Sequence, residues 1–371
     1  AGTRFVPQPI TMTRESAGTR VNSAGLVETV ELLGSEEIEN GSFTELPLGI
    51  YWGKYSPVNI VFEEGVAILN INSSNGNVGI YQEDVFTSGS IYKIVLSMKA
   101  TASFDAEVLE SVGAATVANI GDVSLTTSYQ DFTFYYTATG NNDLFIHRKY
   151  GQTAGANQSI YIKDVSVKES TKNNLARVDY DGTASSLLVE PERTNLIQYS
   201  EDFSQWSDNQ VTIEPNAIIS PDGTLNASRM TPTTTSSVHL ISTSGSTTMA
   251  MSVYAKSNGY HRFRFNSGSS GNGYASFDLN AGTVLNSGGT YYTSSSIDSV
   301  GNGWYRCTLV LTSGVASVPN LAIEDNSGNV SFIGDGTSAI YIWAGQAEVG
   351  SYATSYIPTD GGTVTRVQDQ Y

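Results

Sequence analysis

Cysteine is almost missing. A single one, Cys307, in 371 residues rules out an intrachain disulfide framework and any cluster of thiolate metal ligands. It lies in WYRCTLVLT on the same strand face as Leu309 and Leu311, where a small buried thiol is expected. Charge is scarce too, at 15% of residues against roughly a quarter in an ordinary globular chain. Basic residues are the rarer sign, 19 against 36 acidic, for a net charge of −17. Such a surface repels phosphate backbones and anionic lipid, so nucleic-acid partners and charge-driven membrane adhesion are not expected. No apolar run approaches the length of about 18 residues that a spanning helix needs, so no membrane insertion is expected. The opening AGTRFVPQPITMTRES lacks the apolar core of a signal peptide, so export is not expected to be encoded there. Helical periodicity is also absent: no window of a dozen residues sustains apolar spacing at i, i+3, i+4, i+7.

Gly, Ser, Thr, Asn and Tyr are plentiful, and these residues build strands and turns. In IYKIVLSMKA (91–100), Ile94, Leu96 and Met98 share one face of a strand. In DFTFYYTA, Phe132, Phe134 and Tyr136 do the same. The chain also repeats itself. EEIENGSFTE (36–45) and YSEDFSQWSD (199–208) each open a segment. An apolar strand follows in each, IYKIVLSMKA and TMAMSVYAKS (248–257). An aromatic strand comes next, SLTTSYQDFTFYYTA (124–138) and SIDSVGNGWYRCTLVLTS (296–313). Each segment closes on a similar strand, SIYIKDVSVKES (159–170) and AIYIWAGQAEVG (339–350). A repeat on the order of 150 residues, made of short alternating strands, suits a two-sheet jelly roll. The expected fold is therefore all-β: two tandem antiparallel β-sandwiches on a small β-rich frame. Residues 1–32 form the N-terminal frame, 33–170 the first module, 171–197 a connector, 198–350 the second module and 351–371 a closing strand segment.

The motifs RESAGTRVNSAGLVE, LLVEPERTNLIQYSEDFSQW, GNGWYRCTL and AEVGSYATSYIPTDGGTVTR resemble a module of tailed-bacteriophage virion proteins, over roughly 10–32 and 173–366. Residues 33–170 are similar to carbohydrate-binding jelly-roll modules, with NGSFTE (40–45) at the opening and YIKDVSV (161–167) at the close. This pair of resemblances implies a virion fibre or spike with concanavalin-like or carbohydrate-binding-module-like domains. It would be a homo-oligomer, a trimer favoured, bound to other virion proteins, and it would meet host-surface glycans on the outside of the particle. Two other readings stand beside it: a ligand-free capsid or tail decoration, and a carbohydrate-binding accessory region of a secreted bacterial enzyme. The resemblance also implies structural calcium in the first module, with Asp164 supplying a carboxylate and Glu45 or Glu39 and Asn40 facing it. Ala344 stands at the matching position of the second module, where the same site is not expected.

Sugars are gripped by aromatic faces, with polar side chains reading the hydroxyls. The exposed candidates are Tyr51, Trp52, Tyr55 and Tyr81 in the first module and Tyr260, Tyr274, Tyr291 and Tyr292 in the second. Trp206, Trp304 and Trp343 belong to the motifs and are expected in the core. No catalytic residue is expected: His147, His239 and His261 are scattered without metal or triad spacing. The acid pairs Glu36/Glu37 and Glu201/Asp202 fall in module openings and read as structural. The small basic runs Ile146–Gly151 and Tyr260–Phe265 read as charged edge strands that resist further pairing.

Overall fold

In the computed structural model, residues 12–56, 59–71, 78–151, 157–243, 250–268, 271–312 and 319–370 are described. The chain divides into two compact units. One is residues 31–171; the other combines 1–30 with 172–371. Both are antiparallel β-sandwiches.

In the first unit a six-stranded sheet holds the strands Ile91–Ala100 and Gln158–Thr171 at its centre, and a five-stranded sheet faces it. The five-stranded sheet runs in the order Ala115–Leu125, Phe104–Val112, Asp143–Arg148, Gly79–Gln82 and Gly53–Tyr55. Alternation decides which side chains enter the space between the sheets. Tyr92, Ile94, Leu96, Met98 and Ala100 are all buried, while the residues between them are half-buried. From the opposite sheet Ile80, Val108, Leu144 and Ile146 meet them in one core. Burying each large aliphatic side chain contributes about 1.5–3 kcal/mol.

The second unit pairs a seven-stranded with a six-stranded sheet, the latter centred on Ala250–Asn258 and Ala339–Glu348. The two closing strands share one irregularity. The ladder with Ile91–Ala100 slips between Ile162 and Asp164, and the ladder with Ala250–Asn258 slips across Ala344 and Gly345. Just past each slip, a freed backbone N–H turns to the module's opening segment: Val165 donates to the Gly41 carbonyl at 3.1 Å, and Gly345 to that of Ser200 at 2.7 Å. A bulge releases one donor from the ladder, and here the donor anchors the module's first segment. Asp164 and Ala344 therefore occupy equivalent bulges.

The frame consists of short hairpins, Thr19–Val21 with Val27–Thr29 and Val178–Asp181 with Ala184–Leu187, and the pair Arg193–Asn195 with Val364–Arg366. Val27 and Tyr356 pack with Ala227, Tyr254, Trp304 and Trp343, which lie outside the second module's main core.

Beneath them lies a buried ionic network. Arg14, Arg177 and Arg366 are fully buried. Arg14 donates to Asp369 at 2.8 Å, Arg177 to Glu190 at 2.7 Å and also to Asp369, and Arg366 sits 3.2 Å from Glu190.

Candidate functional site

Alternation along the five-stranded sheet of the first unit sends Ile80, Leu144, Ile146 and Val108 into the core and their neighbours outward. Cross-strand register then lays the outward residues in two rows. Gly53, Tyr81, Phe145 and Leu109 stand opposite one another; Tyr55, Gly79, His147 and Glu107 form the next row. Each glycine adjoins a large ring. A Cβ on Gly53 would lie 2.2 Å from Cζ of Tyr81, and one on Gly79 would lie 2.5 Å from Cε2 of Phe145. The rings of Tyr81 and Phe145 occupy the space that side chains at 53 and 79 would fill, so they lie down along the sheet.

The rings form a connected patch. Tyr55 and Tyr81 each meet Phe145 edge-on, at 5.9 and 6.4 Å between centroids. His147 is 5.0 Å from Phe145 and is stacked against Tyr150 at 5.9 Å. Leu109, Phe145 and His147 form the buried base, while Tyr51, Tyr55 and Tyr150 are exposed. Beside the patch an open groove of about 500 Å³ is lined by Tyr51, Gly53 and Tyr81, with Gln82 and four acids, Glu37, Glu39, Glu83 and Asp84. Tyr51 holds φ at 72°, a left-handed conformation uncommon for a bulky residue and typical of places where the fold fixes a side chain for use. Flat rings can stack on the C–H face of a sugar, and carboxylates and an amide can take its hydroxyls.

His147 has neither ring nitrogen hydrogen-bonded to any described residue. Burial, helped by the charge of Arg148, pulls its pKa down to about 4, so the ring is neutral at ordinary pH, with one donor and one acceptor.

Not every residue anticipated from the sequence reaches this face. Trp52 is buried against Phe43 at 5.3 Å and donates its indole N–H to the Asn40 carbonyl at 3.1 Å, which fixes the NGSF turn. Tyr260 is buried against Phe332 at 5.3 Å, and Tyr292 packs on the second core. Tyr291 is exposed. Tyr274 carries the Arg264 guanidinium 4.6 Å above its ring. Trp206, Trp304, Trp343 and Cys307 are all buried.

Phe145 carries no local mark of a site, and His147 and Tyr150 are hidden because their run, Ile146–Gly151, reads as a basic edge strand. The strand Asp143–Arg148 is instead interior to its sheet, with His147 and Arg148 both buried. Arg262–Ser267 is interior as well, and Arg264 there is paired with the buried Glu324 at 2.8 Å. The interior strand position of these runs replaces the edge-guard reading.

Among the described residues no group of three His, Cys, Asp or Glu side chains is placed to hold a metal. Glu39 lines the groove, its backbone clasped by Gln82 at 2.8 Å in both directions. Asn40 spends its amide oxygen on the Glu45 N–H at 2.9 Å. Asp164 and Glu45 are exposed. The acids of the module openings are likewise engaged. Glu36 accepts from Val167 and Ser166, Glu201 from Tyr356 and Asn226, and Asp202 caps the short turn Phe203–Gln205.

No protein-family model matches the chain, and no curated protein matches it. Among solved structures it is similar to a CBM4 module, at 22% identity over 36% of this chain and 99% of that one, with a TM-score of 0.30. It is similar to the second N-terminal cellulose-binding domain of Cellulomonas fimi β-1,4-glucanase C, at 23% identity over 37% of this chain and 96% of that one, with a TM-score of 0.29. The tandem CBM22-1–CBM22-2 domain of Paenibacillus barcinonensis Xyn10C spans 85% of this chain and 98% of its own, at 12% identity and a TM-score of 0.29.

Proposed function

We propose that the protein is a non-catalytic glycan-binding protein whose first module holds a saccharide across the outer face of its five-stranded sheet. The observation that carries this reading is the pair of rings lying over Gly53 and Gly79 beside an acid-lined groove. Tyr81 and Tyr55 supply the stacking surface, Tyr51 closes the groove, and Gln82 with Glu39, Glu83 and Asp84 reads hydroxyls. The ordered sequence motifs support a finer proposal: display on the outside of a tailed-phage particle, as an oligomeric fibre or spike that meets host-surface glycans. Multivalent display would turn weak single-site binding into useful adhesion.

A glycan array, followed by titration of neutral β-linked hexaoses such as cellohexaose and mannohexaose, tests the binding. Tyr81→Ala and Tyr55→Ala should each weaken it about tenfold, the size of one lost stacking contact. Binding untouched by both substitutions sinks the site, and no glycan bound at all leaves the decoration reading. Repeating the array in EDTA tests the expected structural calcium, because loss of binding on chelation would support an ion in the module. Light scattering separates an oligomeric fibre from a monomeric accessory domain of an enzyme.

A further inference from the structure

The sequence motifs that set this chain apart meet around a cavity in the second unit. Val21 and Val27 come from TRVNSAGLV, Arg306 from GWYR and Tyr356 from ATSYIPT. With Asp179 and Tyr254 they enclose about 160 Å³, partly open to solvent. That is roughly five waters' share of liquid volume, enough for about one sugar ring.

Its polar groups are left with capacity. Tyr254 is buried, with Trp343 at 5.1 Å to one side, and its hydroxyl makes no hydrogen bond with a described residue. Burial raises the phenol's pKa, with Arg306 and Asp179 acting on it in opposite directions, so it stays a neutral donor. Asp179 accepts the Val21 N–H at 2.7 Å through one oxygen only. Arg306 lies over the Tyr254 ring at 5.6 Å and donates through Nη2 to Ser252 at 3.0 Å and to the Thr354 carbonyl at 2.5 Å; its Nε meets no described partner. Two carboxylates, Asp179 and Glu190, and two guanidinium groups, Arg20 and Arg306, line the cavity and leave it formally neutral, which disfavours an ionic ligand. Donors and an acceptor set among valine and tyrosine walls suit a neutral molecule with hydroxyls on one edge and C–H groups on the other.

We propose that this cavity is a second, separate saccharide site that takes the terminal pyranose of a neutral glycan end-on. Asp179 accepts from one ring hydroxyl, and Tyr254 and Arg306 donate to its neighbour. The remainder of the chain leaves through the open side. The same lining would serve equally to hold ordered water, and the experiment separates the two.

Saturation-transfer NMR on the full chain, with the methyl β-pyranosides of glucose, galactose, mannose and N-acetylglucosamine, should give transfer to at least one of them in the millimolar range. Asp179→Asn and Tyr254→Phe, which keep shape and packing, should each weaken it about tenfold. Transfer that survives Tyr81→Ala but falls in Asp179→Asn belongs to this cavity and not to the aromatic face, so the two sites stand or fall separately. Crystals soaked in the responding sugar should show one ring against Asp179, a readout that holds even if a variant folds poorly. No transfer from any of the four sugars, or only water in the soaked cavity, overturns the proposal.

Discussion

His147 shows how a single side chain can carry more than its sequence context suggests. Between Ile146 and Arg148 it looks like part of a small basic run, yet its ring lies among Phe145, Tyr55 and Tyr150, and neither nitrogen has a hydrogen-bond partner among the described residues. Its pKa, about 4, is below the unfolded value near 6.5, so between those values the unfolded chain binds a proton that the folded chain refuses. The neutral ring's contribution is therefore complete above pH 6.5 and is lost as pH falls toward 4. At about 1.4 kcal/mol per unit, the loss reaches about 3 kcal/mol. His147→Phe keeps the ring and removes the titration. Urea unfolding of this variant between pH 7 and 4.5 should show a flatter decline than the parent, and an identical decline would exclude His147 as its source. Glu110 behaves oppositely in cause though not in sign. Burial pushes its carboxyl up, but hydrogen bonds from Thr139, Tyr136 and Asn142 outweigh burial and hold it below the usual range. Its share of stability is lost only in stronger acid.

At the scale of strands, alternation was legible in the sequence and register was not. Ile94, Leu96 and Met98 could be placed on one face by counting in twos, and they line the core. So could the repeat and the all-β class, because turn residues and period-two patterning are local signals. The binding platform depends on Gly53, Tyr81 and Phe145 standing opposite one another, and nothing local in three separated strands says that they do. Tyr55 and Tyr81 were named for being aromatic and polar-flanked; Trp52, chosen on the same ground, is core. The pairing itself can be tested. In Gly53→Ala the atoms nearest the new Cβ all belong to the Tyr81 ring, which can lift, so saccharide affinity should fall about as far as in Tyr81→Ala with little change in stability. In Gly79→Ala the Cβ also meets the Ile146 carbonyl at 2.7 Å, backbone that cannot give, so this variant should lose about 1–3 kcal/mol as well. If Gly53→Ala binds as well as the parent, the ring over the glycine is not the platform.

Across the whole molecule, the motifs that looked like a signature of use prove to hold much of the second unit closed. Arg14 and Asp369 are 355 residues apart in sequence and 2.8 Å apart in space, with no exposed side-chain surface on either. Arg177, Glu190 and Arg366 complete the cluster, which joins the N-terminal piece, the connector and the C-terminal segment. No local pattern could announce it, because each member is an ordinary charged residue beside a turn until the chain closes. Buried charges hold together only as a set, and removing one partner leaves the others desolvated and unpaired, at about 3–5 kcal/mol. Asp369→Asn leaves both Arg14 and Arg177 short of a counter-charge. In a unit of this size it should lower the melting transition of the second unit by roughly 10 °C and leave the first unit's transition in place. Burial raises the Asp369 carboxyl, but hydrogen bonds from Arg14 and Arg177 win and hold it below the ordinary value; Glu190 is likewise held down, by Arg366 and Ser355 against its burial. Both groups therefore stabilise above the unfolded carboxylate range near pH 4 and lose that contribution as pH falls through their depressed folded values. The first unit, with His147, should begin to weaken at a higher pH than this network does. Calorimetry from pH 7 to 3 should thus show one transition moving early and the other late, and Asp369→Asn should shrink the late shift to the share that Glu190 carries. A late shift of undiminished size in that variant would exclude Asp369 as a source of the second unit's acid sensitivity.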